Sequence, residues 1–236
     1  MTDAAAQRNR ADRAFYTVVA VLAALVAFAG FARTYYLKDL FGTPALSGLV
    51  HAHGIVMTAW LALFFVQARL IAAQRVDLHR RLGLAGGLLA LLIVLVGTAT
   101  SIESARHGLS PGLPPLVFLA IPLGVVVVFA VLVTVALLLR RRADFHKRLM
   151  ALASISILTP AIARIPVDAL QAVGPPLFFG LTDLIVLACV AYDTMRNRRL
   201  HPAFGWGALF LFASQPLRIM LANTPAWLEF ANWLVR

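Results

Sequence analysis

The sequence predicts an all-α, polytopic membrane protein with seven transmembrane helices. Its 236 residues are 61% hydrophobic and only 13% charged, whereas charged residues make up about a quarter of a soluble domain. Apolar runs of about 20 residues recur along the chain, and each is long enough to cross a hydrocarbon core about 30 Å thick. A short polar motif occurs twice between such runs, at 75–82 and 142–149. We therefore expect a single transmembrane domain over 1–236, embedded in a lipid bilayer.

Seven apolar runs define the predicted helices. In chain order they cover about 14–32, 49–72, 80–102, 116–139, 146–169, 177–195 and 203–221. Helix 1 ends in small residues, as a signal peptide would, but we interpret it as a retained helix. Helices 2–5, within 47–169, are the predicted core, and helices 6 and 7 occupy 177–221. The aromatic and polar tail, 226–236, suits a helix lying in the membrane interface.

The distribution of basic residues predicts the orientation. Most of the 21 Lys and Arg residues fall in 1–13, which includes Arg8 and Arg10, and in 69–81, 140–148 and 196–199. These segments lie on one side of a seven-helix arrangement, so the positive-inside rule places the N-terminus in the cytoplasm and the C-terminus outside. Clusters of this kind orient helices and meet anionic lipid, so the formal charge of +11 does not indicate nucleic-acid binding. We expect the bacterial inner membrane as the location.

The repeated motif reads Arg-x-Asp-apolar-His-basic-Arg-Leu in both copies. Asp77 and Asp144 are the predicted N-caps of helices 3 and 5, which places His79 and His146 in the first turns. Both copies fall on the cytoplasmic side, so helices 2–3 and 4–5 form a parallel repeat about an axis along the membrane normal. This predicts a pseudo-twofold four-helix core with the two histidines at similar depth.

Two interpretations of these histidines are open. Opposed imidazoles could be the axial ligands of a b-type haem, and a helix N-terminus favours the neutral imidazole that ligation requires. Arg80 and Arg148 would then meet the haem propionates. Alternatively, basic residues with His at a cytoplasmic helix start orient the helix and contact lipid headgroups.

A second histidine group lies at the outer start of helix 2. His51 and His53 point about 200° apart on a helix and cannot both ligate one ion from regular helical positions. His53 and Met57 share a face that suits haem, copper or another transition metal, and Gly54 allows a flat group to approach closely. The alternative is a pair of interfacial histidines bonded to carbonyl groups or water, with no cofactor.

Charged and polar residues within the outer halves of helices 5–7 form the third candidate site. They are Arg164, Asp168, Asp183, Gln215 and Arg218. Such residues usually face the bundle interior or a wet cavity, and these could line one pocket for a small molecule. The alternative is a set of ion pairs, Arg164 with Asp168 and Asp183 with Arg218, that hold helices together.

Some functions are excluded. The only lysines are Lys38 and Lys147, neither of which lies deep in helix 7, so a retinal Schiff base is unavailable. The sequence contains no His-Glu-x-x-His stretch. A Gly-x-Ser-x-Gly pattern occurs once, at 108–112, but it lies between two predicted helices and not at the strand-to-helix turn on which a serine hydrolase places its nucleophile. Cys189 is the single cysteine, so no internal disulfide can form.

The residues that carry a family resemblance are His53, Trp60, Gln67, LHRRLG at 78–83, DFHKRLM at 144–150 and Arg164. Through them the chain resembles a group of uncharacterised bacterial multi-pass membrane proteins. The likeness covers about 47–168 and implies a fold without an activity. The chain is more loosely similar to two-haem transmembrane b-type cytochromes, which use histidines on four successive helices. The predicted helix 4, 116–139, contains no His, so only the inner site of those cytochromes has matching residues here.

Three functional hypotheses follow. The first is a haem- or metal-dependent redox protein that acts on a quinol or another small substrate. The second is a transporter or binding protein for a small anion or an apolar ligand. The third is an accessory or assembly subunit of a respiratory complex, and a homo-oligomer is compatible with all three.

Overall fold

The computed structural model describes the backbone of residues 3–110 and 112–236 and the side chains of 11–110, 112–168 and 170–236. Arg8 and Arg10, part of the predicted N-terminal basic cluster, have side chains outside the described residues. All regular structure in the described ranges is helical. The α-helices are α1 Asp3–Phe31, α2 Gly48–Ala72, α3 Val76–Arg106, α4 Pro115–Leu138, α5 Ala143–Ser156, α6 Thr159–Ile162, α7 Asp168–Val173, α8 Pro175–Asn197, α9 Pro202–Ala222 and α10 Pro225–Leu234. A π-helix, Ala32–Tyr36, and a 3₁₀ helix, Lys38–Phe41, follow α1.

Five of the described helices are long and apolar enough to cross a membrane. They are Ala11–Tyr36, Gly48–Ala72, Val76–Arg106, Pro115–Leu138 and Pro175–Asn197. Large apolar side chains remain exposed on their outer faces, which soluble proteins avoid over such areas. On α3, Leu84, Leu88, Leu91 and Leu95 are each more than half exposed, and their spacing places them on one helical face. This is the surface expected of a multi-pass membrane protein.

The predicted helix 5 is not continuous, so that prediction is wrong. α5 ends at Ser156, and the chain continues through the short helices α6 and α7. Proline lacks the amide hydrogen that would bond to the carbonyl four residues earlier, and its ring clashes with the preceding turn. Pro160 therefore removes the partner of the Ser156 carbonyl, and Pro166 prevents the helix from resuming. Hydrogen bonds between residues three apart close this turn, such as the one from the Leu158 amide to the Ile155 carbonyl at 3.0 Å.

The short helix α5 lies at the centre of the protein. Eight of its last nine residues are buried, from Arg148 to Ser156 except Met150, and it packs against α1, α4, α8 and α9. The fully buried Phe129 of α4 meets Trp60 of α2, with ring centroids 5.0 Å apart. The surrounding helices therefore pack around α5.

Trp60 joins α2 to this central helix. Its indole Nε1 donates a hydrogen bond to Ser154 Oγ at 3.2 Å, and its side chain is buried. Many tryptophans of membrane proteins anchor helices at the membrane interface, but Trp60 lies in the interior of the helix bundle. A buried indole needs a hydrogen-bond partner, and Ser154 supplies one across the helix interface.

Candidate functional site

The two copies of the repeated motif fold into the same local structure. Arg75 and Arg142 cap α3 and α5, and both have extended or turn backbone angles rather than helical ones. The amide of His79 donates to the Arg75 carbonyl, and the amide of His146 donates to the Arg142 carbonyl, at 3.0 Å in both cases. Each histidine therefore occupies the same position in the first turn of its helix.

The predicted N-caps are wrong. Asp77 and Asp144 lie in the first turn, two residues beyond the caps, and neither cap position makes a side-chain capping bond. Acidic residues in the first turn still complement the positive end of the helix dipole. Asp77 has an exposed ion pair with Arg75 at 3.6 Å, whereas Asp144 accepts a hydrogen bond from His201 Nε2 at 3.0 Å.

The His201 contact fixes its tautomer. Its Nδ1 accepts from the amide of Ala203 at 3.2 Å, so the proton lies on Nε2, which donates to Asp144. Partial burial would raise the pKa of Asp144, but the hydrogen bonds from His201 and from backbone amides outweigh it, and the pKa lies below its ordinary value. No sequence pattern indicates this pair, because His201 lies between predicted helices and 57 residues from Asp144.

The repeat brings the two motif histidines together. The ring centroids of His79 and His146 are 6.3 Å apart, and the ring planes are nearly perpendicular at 81°. Both side chains are half-buried. These residues come from α3 and α5, which are separated by the whole of α4, so the contact is a tertiary one that the repeat alone did not require.

Hydrogen bonds orient one imidazole and leave the other available. His146 Nδ1 donates to the Ala136 carbonyl at 2.8 Å, so its Nε2 carries the lone pair. His79 Nδ1 is buried and has no hydrogen-bond partner, and the same is true of Gln67 Oε1. Gln67 Nε2 donates to the His79 carbonyl at 3.3 Å, which ties α2 to the first turn of α3. Unpaired buried polar atoms are uncommon in folded proteins and call for a functional explanation.

This pair fits the axial ligation of haem better than it fits a bare ion. A metal lies about 2.0–2.1 Å from a ligating imidazole nitrogen, so a ring separation of 6.3 Å matches one metal centre when a nitrogen of each ring faces it. A bare ion needs further ligands, and no group of three or more His, Cys, Asp and Glu is placed to hold one among the residues with described side chains. The porphyrin itself supplies four nitrogens, leaving two positions for the protein. Gly83, one turn beyond His79, has only Gln67 Nε2 near its missing Cβ, at 3.9 Å.

The two arginines predicted to meet propionates have different surroundings. Arg80 is exposed beside His79. Arg148 is buried in a bidentate ion pair with Asp193 of α8, with Nη2 to Oδ1 at 2.7 Å and Nε to Oδ2 at 3.0 Å. Its Nη1 donates to the Asp144 carbonyl at 2.8 Å. Asp193 escaped the sequence analysis, although an acidic residue at the end of an apolar run is itself a signal for a buried partner.

The outer histidine group is organised around a tyrosine. The Tyr35 hydroxyl donates to the His51 carbonyl at 3.3 Å, and a Cβ at Gly54 would lie 2.2 Å from Tyr35 Cζ. The flat group against Gly54 in this structure is therefore the Tyr35 ring. His53 is half-buried near Arg164, and Met57 packs against the hydrophobic core.

Three of the five predicted pocket residues come together between α4, α8 and α9. Gln215 Nε2 donates to Asp183 Oδ1 at 2.6 Å. Arg218 donates to both oxygens of Ser214 at 3.0 Å and to the Ile121 carbonyl at 3.3 Å. Arg218 and Gln215 are buried, and Asp183 is half-buried. Asp183 and Arg218 make no direct ion pair, so the alternative interpretation in which these two residues pair to hold helices together is wrong.

Arg164 and Asp168 lie apart from this cluster and are exposed. Arg164 Nη1 donates to the Pro160 carbonyl at 2.9 Å, and its guanidinium stacks over the Phe31 ring at 5.0 Å. The break after α5 separates them from one another, because Arg164 lies in the irregular segment and Asp168 begins α7. Their predicted ion pair does not form.

Comparison with family models, curated proteins and solved structures gave no match. Function is therefore inferred from the geometry of these sites.

Proposed function

We propose that this is a haem- or metal-binding membrane redox protein, with His79 and His146 as its two protein ligands and haem b as the preferred cofactor. The observation that carries the proposal is the 6.3 Å separation of the two imidazole rings. The two rings come from repeat-equivalent positions, and one of them keeps a buried nitrogen without a partner. A motif that only oriented helices would have no reason to bring both imidazoles together.

The protein residues would prepare the site before a cofactor arrives. The Ala136 carbonyl holds the His146 ring and assigns its proton to Nδ1, which is how an outer partner usually orients a ligating histidine. The positive end of a helix dipole favours the neutral imidazole that ligation requires, and both histidines lie in the first turns of their helices. Arg80 is positioned for an anionic propionate, whereas Arg148 stabilises the site through Asp193. Haem held there would supply one-electron oxidation and reduction.

The proposed setting is the bacterial inner membrane, with seven spans, a cytoplasmic N-terminus and a pseudo-twofold core formed by the predicted helices 2–5. The basic clusters at 69–81 and 140–148 support this orientation. In that arrangement the histidine pair lies near the cytoplasmic surface, and a quinol diffusing in the membrane is a suitable electron donor. The five long apolar helices support membrane insertion. The other two of the seven spans are proposed.

Removing either ligand should abolish cofactor binding. Protein purified in mild detergent is expected to show a Soret band and, after dithionite reduction, an α-band. His79→Ala and His146→Ala should each lose these bands, because each removes one of the two imidazoles that would hold the haem. The measurement is a visible absorption spectrum of the oxidised and reduced protein, with metal analysis of the same sample.

His107 provides the matched control. It is exposed and pairs with Glu103 at 2.9 Å, so His107→Ala should retain the wild-type spectrum. Wild-type protein purified after expression with haem precursor and free of both haem and metal would contradict the proposal. Equal loss in all three variants would point to general misfolding instead of ligation.

A second candidate function is the binding or transport of a small anion at the cluster around Arg218. The favouring observation is that this buried guanidinium approaches Asp183 without pairing to it, and buried charges within membrane helices commonly mark solute sites. At about a hundredfold excess over its dissociation constant, a bound ligand would add about 2.7 kcal/mol of stability. Chloride, phosphate and acetate, tested by thermal unfolding, should then stabilise the wild type. Arg218→Lys should remove this effect, because Lys cannot reproduce the planar guanidinium contacts, while His79→Ala should keep it.

A further inference from the structure

A groove with a volume of about 320 Å³ lies between α1 and α2, and its lining includes neither motif histidine. It is lined by Arg13, Ala14, Thr17, Val18, Arg69 and Ala72. The first four come from the early part of a membrane-spanning helix and the last two from the final turn of the next. The groove therefore opens at one end of two antiparallel spans, the end that carries most of the basic residues.

Its two arginines lack an acidic partner among the described side chains. Among the residues with described side chains, neither the Arg13 nor the Arg69 guanidinium has a carboxylate or hydrogen-bond acceptor. The nearest acidic residue in sequence, Asp12, is already paired with Lys147 of α5. Thr17 Oγ1 donates its proton to the Arg13 carbonyl, and no hydrogen bond joins it to either guanidinium among the residues with described side chains. Two positive charges thus face one groove without a partner in the part of the chain whose side chains are described.

The rest of the groove is apolar. Ala14 and Val18 follow Arg13 along one face of α1 and are exposed, Val18 by 53%. Ala14 and Val18 extend from the arginines toward the membrane interior. A hydrocarbon chain attached to a headgroup at the arginines would therefore lie along these two side chains. A ligand that fits carries negative charge at one end and hydrocarbon at the other.

We propose that this groove binds the phosphate of an anionic phospholipid such as phosphatidylglycerol. Guanidinium groups hold phosphate oxygens through paired, charge-assisted hydrogen bonds, and Arg suits this geometry better than Lys. The acyl chain lies against Ala14 and Val18. A zwitterionic lipid brings a cationic headgroup to two unpaired arginines and binds more weakly. The site is independent of the proposed redox function.

The test is native mass spectrometry of the full chain titrated with phosphatidylglycerol or phosphatidylcholine. Arg13→Gln and Arg69→Gln should each weaken phosphatidylglycerol binding about fivefold, and the double variant about 25-fold, because each arginine acts on an anionic headgroup separately. Arg141→Gln is the matched control, since Arg141 is exposed on the same predicted side but outside the groove, and it should leave binding unchanged.

Three results would overturn the proposal. They are unchanged phosphatidylglycerol affinity in the double variant, equal affinity for phosphatidylcholine in the wild type, and an equal loss in Arg141→Gln. Competition by glycerol 3-phosphate as strong as that of the lipid would assign the site to a soluble phosphate and would also overturn it. Circular dichroism of the variants separates loss of the site from loss of the fold, and an unfolded Gln variant is replaced by Arg→Lys, which should bind less tightly than wild type.

Discussion

Arg148→Met is expected to lower the free energy of unfolding by about 3–5 kcal/mol, because it leaves the carboxylate of Asp193 buried without its partner. Arg148 is 4% exposed and Asp193 is 2% exposed, so water cannot replace the lost bonds. The substitution also leaves the Asp144 carbonyl without the guanidinium that donates to it. The measurement is chemical or thermal unfolding of the purified protein in a fixed mixed micelle.

The repeat supplies a matched control at the equivalent position. Arg81 occupies the place in the first copy that Arg148 occupies in the second, but it is exposed. Arg81→Met should therefore change stability by no more than about 0.5 kcal/mol, the usual range for surface positions. The double variant Arg148→Met/Asp193→Leu removes both charges together and should recover most of the loss. Equal effects from Arg81→Met and Arg148→Met would contradict the structural role assigned to the buried pair.

Measuring the absorption spectrum of Arg148→Met as well as its unfolding free energy separates two roles for Arg148. A residue whose main task is to hold a haem propionate would change the absorption spectrum at an unchanged unfolding free energy. The bidentate ion pair with Asp193 predicts the opposite result. Arg148→Met should lower the unfolding free energy, and the spectrum should change only as a consequence of the loosening of α5. Arg80→Met, at the exposed side of the histidine pair, is the variant expected to alter the spectrum while the fold is retained.

The helices were largely predictable because each is a long apolar run with polar ends. α2, α3, α4, α8 and α9 fall on predicted runs. The exception is the break after α5, where composition stays apolar and only Pro160 and Pro166 signal the change. Hydropathy measures whether a segment tolerates lipid, and it does not measure whether its backbone can stay helical. The structure shows α5 as a short, buried helix surrounded by protein.

The candidate sites were predictable only as far as local sequence controls them. The repeat correctly indicated equivalent first turns for His79 and His146, since backbone geometry follows from the local motif. Partners of the side chains depend on tertiary packing, which the repeat does not encode. Arg81 and Arg148 share a motif position, yet only Arg148 faces α8 and finds Asp193. Trp60 shows the same limit, because hydropathy places it in an apolar helix and does not reveal its contact with Ser154.

Gly30→Ala is expected to destabilise the protein by about 2–3 kcal/mol, toward the upper end of the range for overpacking. Gly30 is buried in α1, and a Cβ built there would lie 2.0 Å from the Ala161 carbonyl oxygen and 2.8 Å from its Cα. Backbone atoms cannot move aside as a flexible side chain can. The Ala161 carbonyl also accepts the amide of Arg164 at 3.0 Å, so displacing it disturbs the irregular segment after α5. The measurement is the free energy of unfolding in the same micelle.

Gly180→Ala is the control for this prediction, and its expected effect on stability has the opposite sign. Gly180 is an exposed helical residue of α8, and a Cβ there would meet nothing within 4 Å. Alanine should stabilise that helix by about 0.5–1 kcal/mol, because glycine loses more conformational freedom on folding. The same substitution is thus expected to act in opposite directions at two helical positions. A stabilising Gly30→Ala would show that α1 and α6 do not meet at this distance, and the placement of the broken fifth helix beside α1 would have to be abandoned.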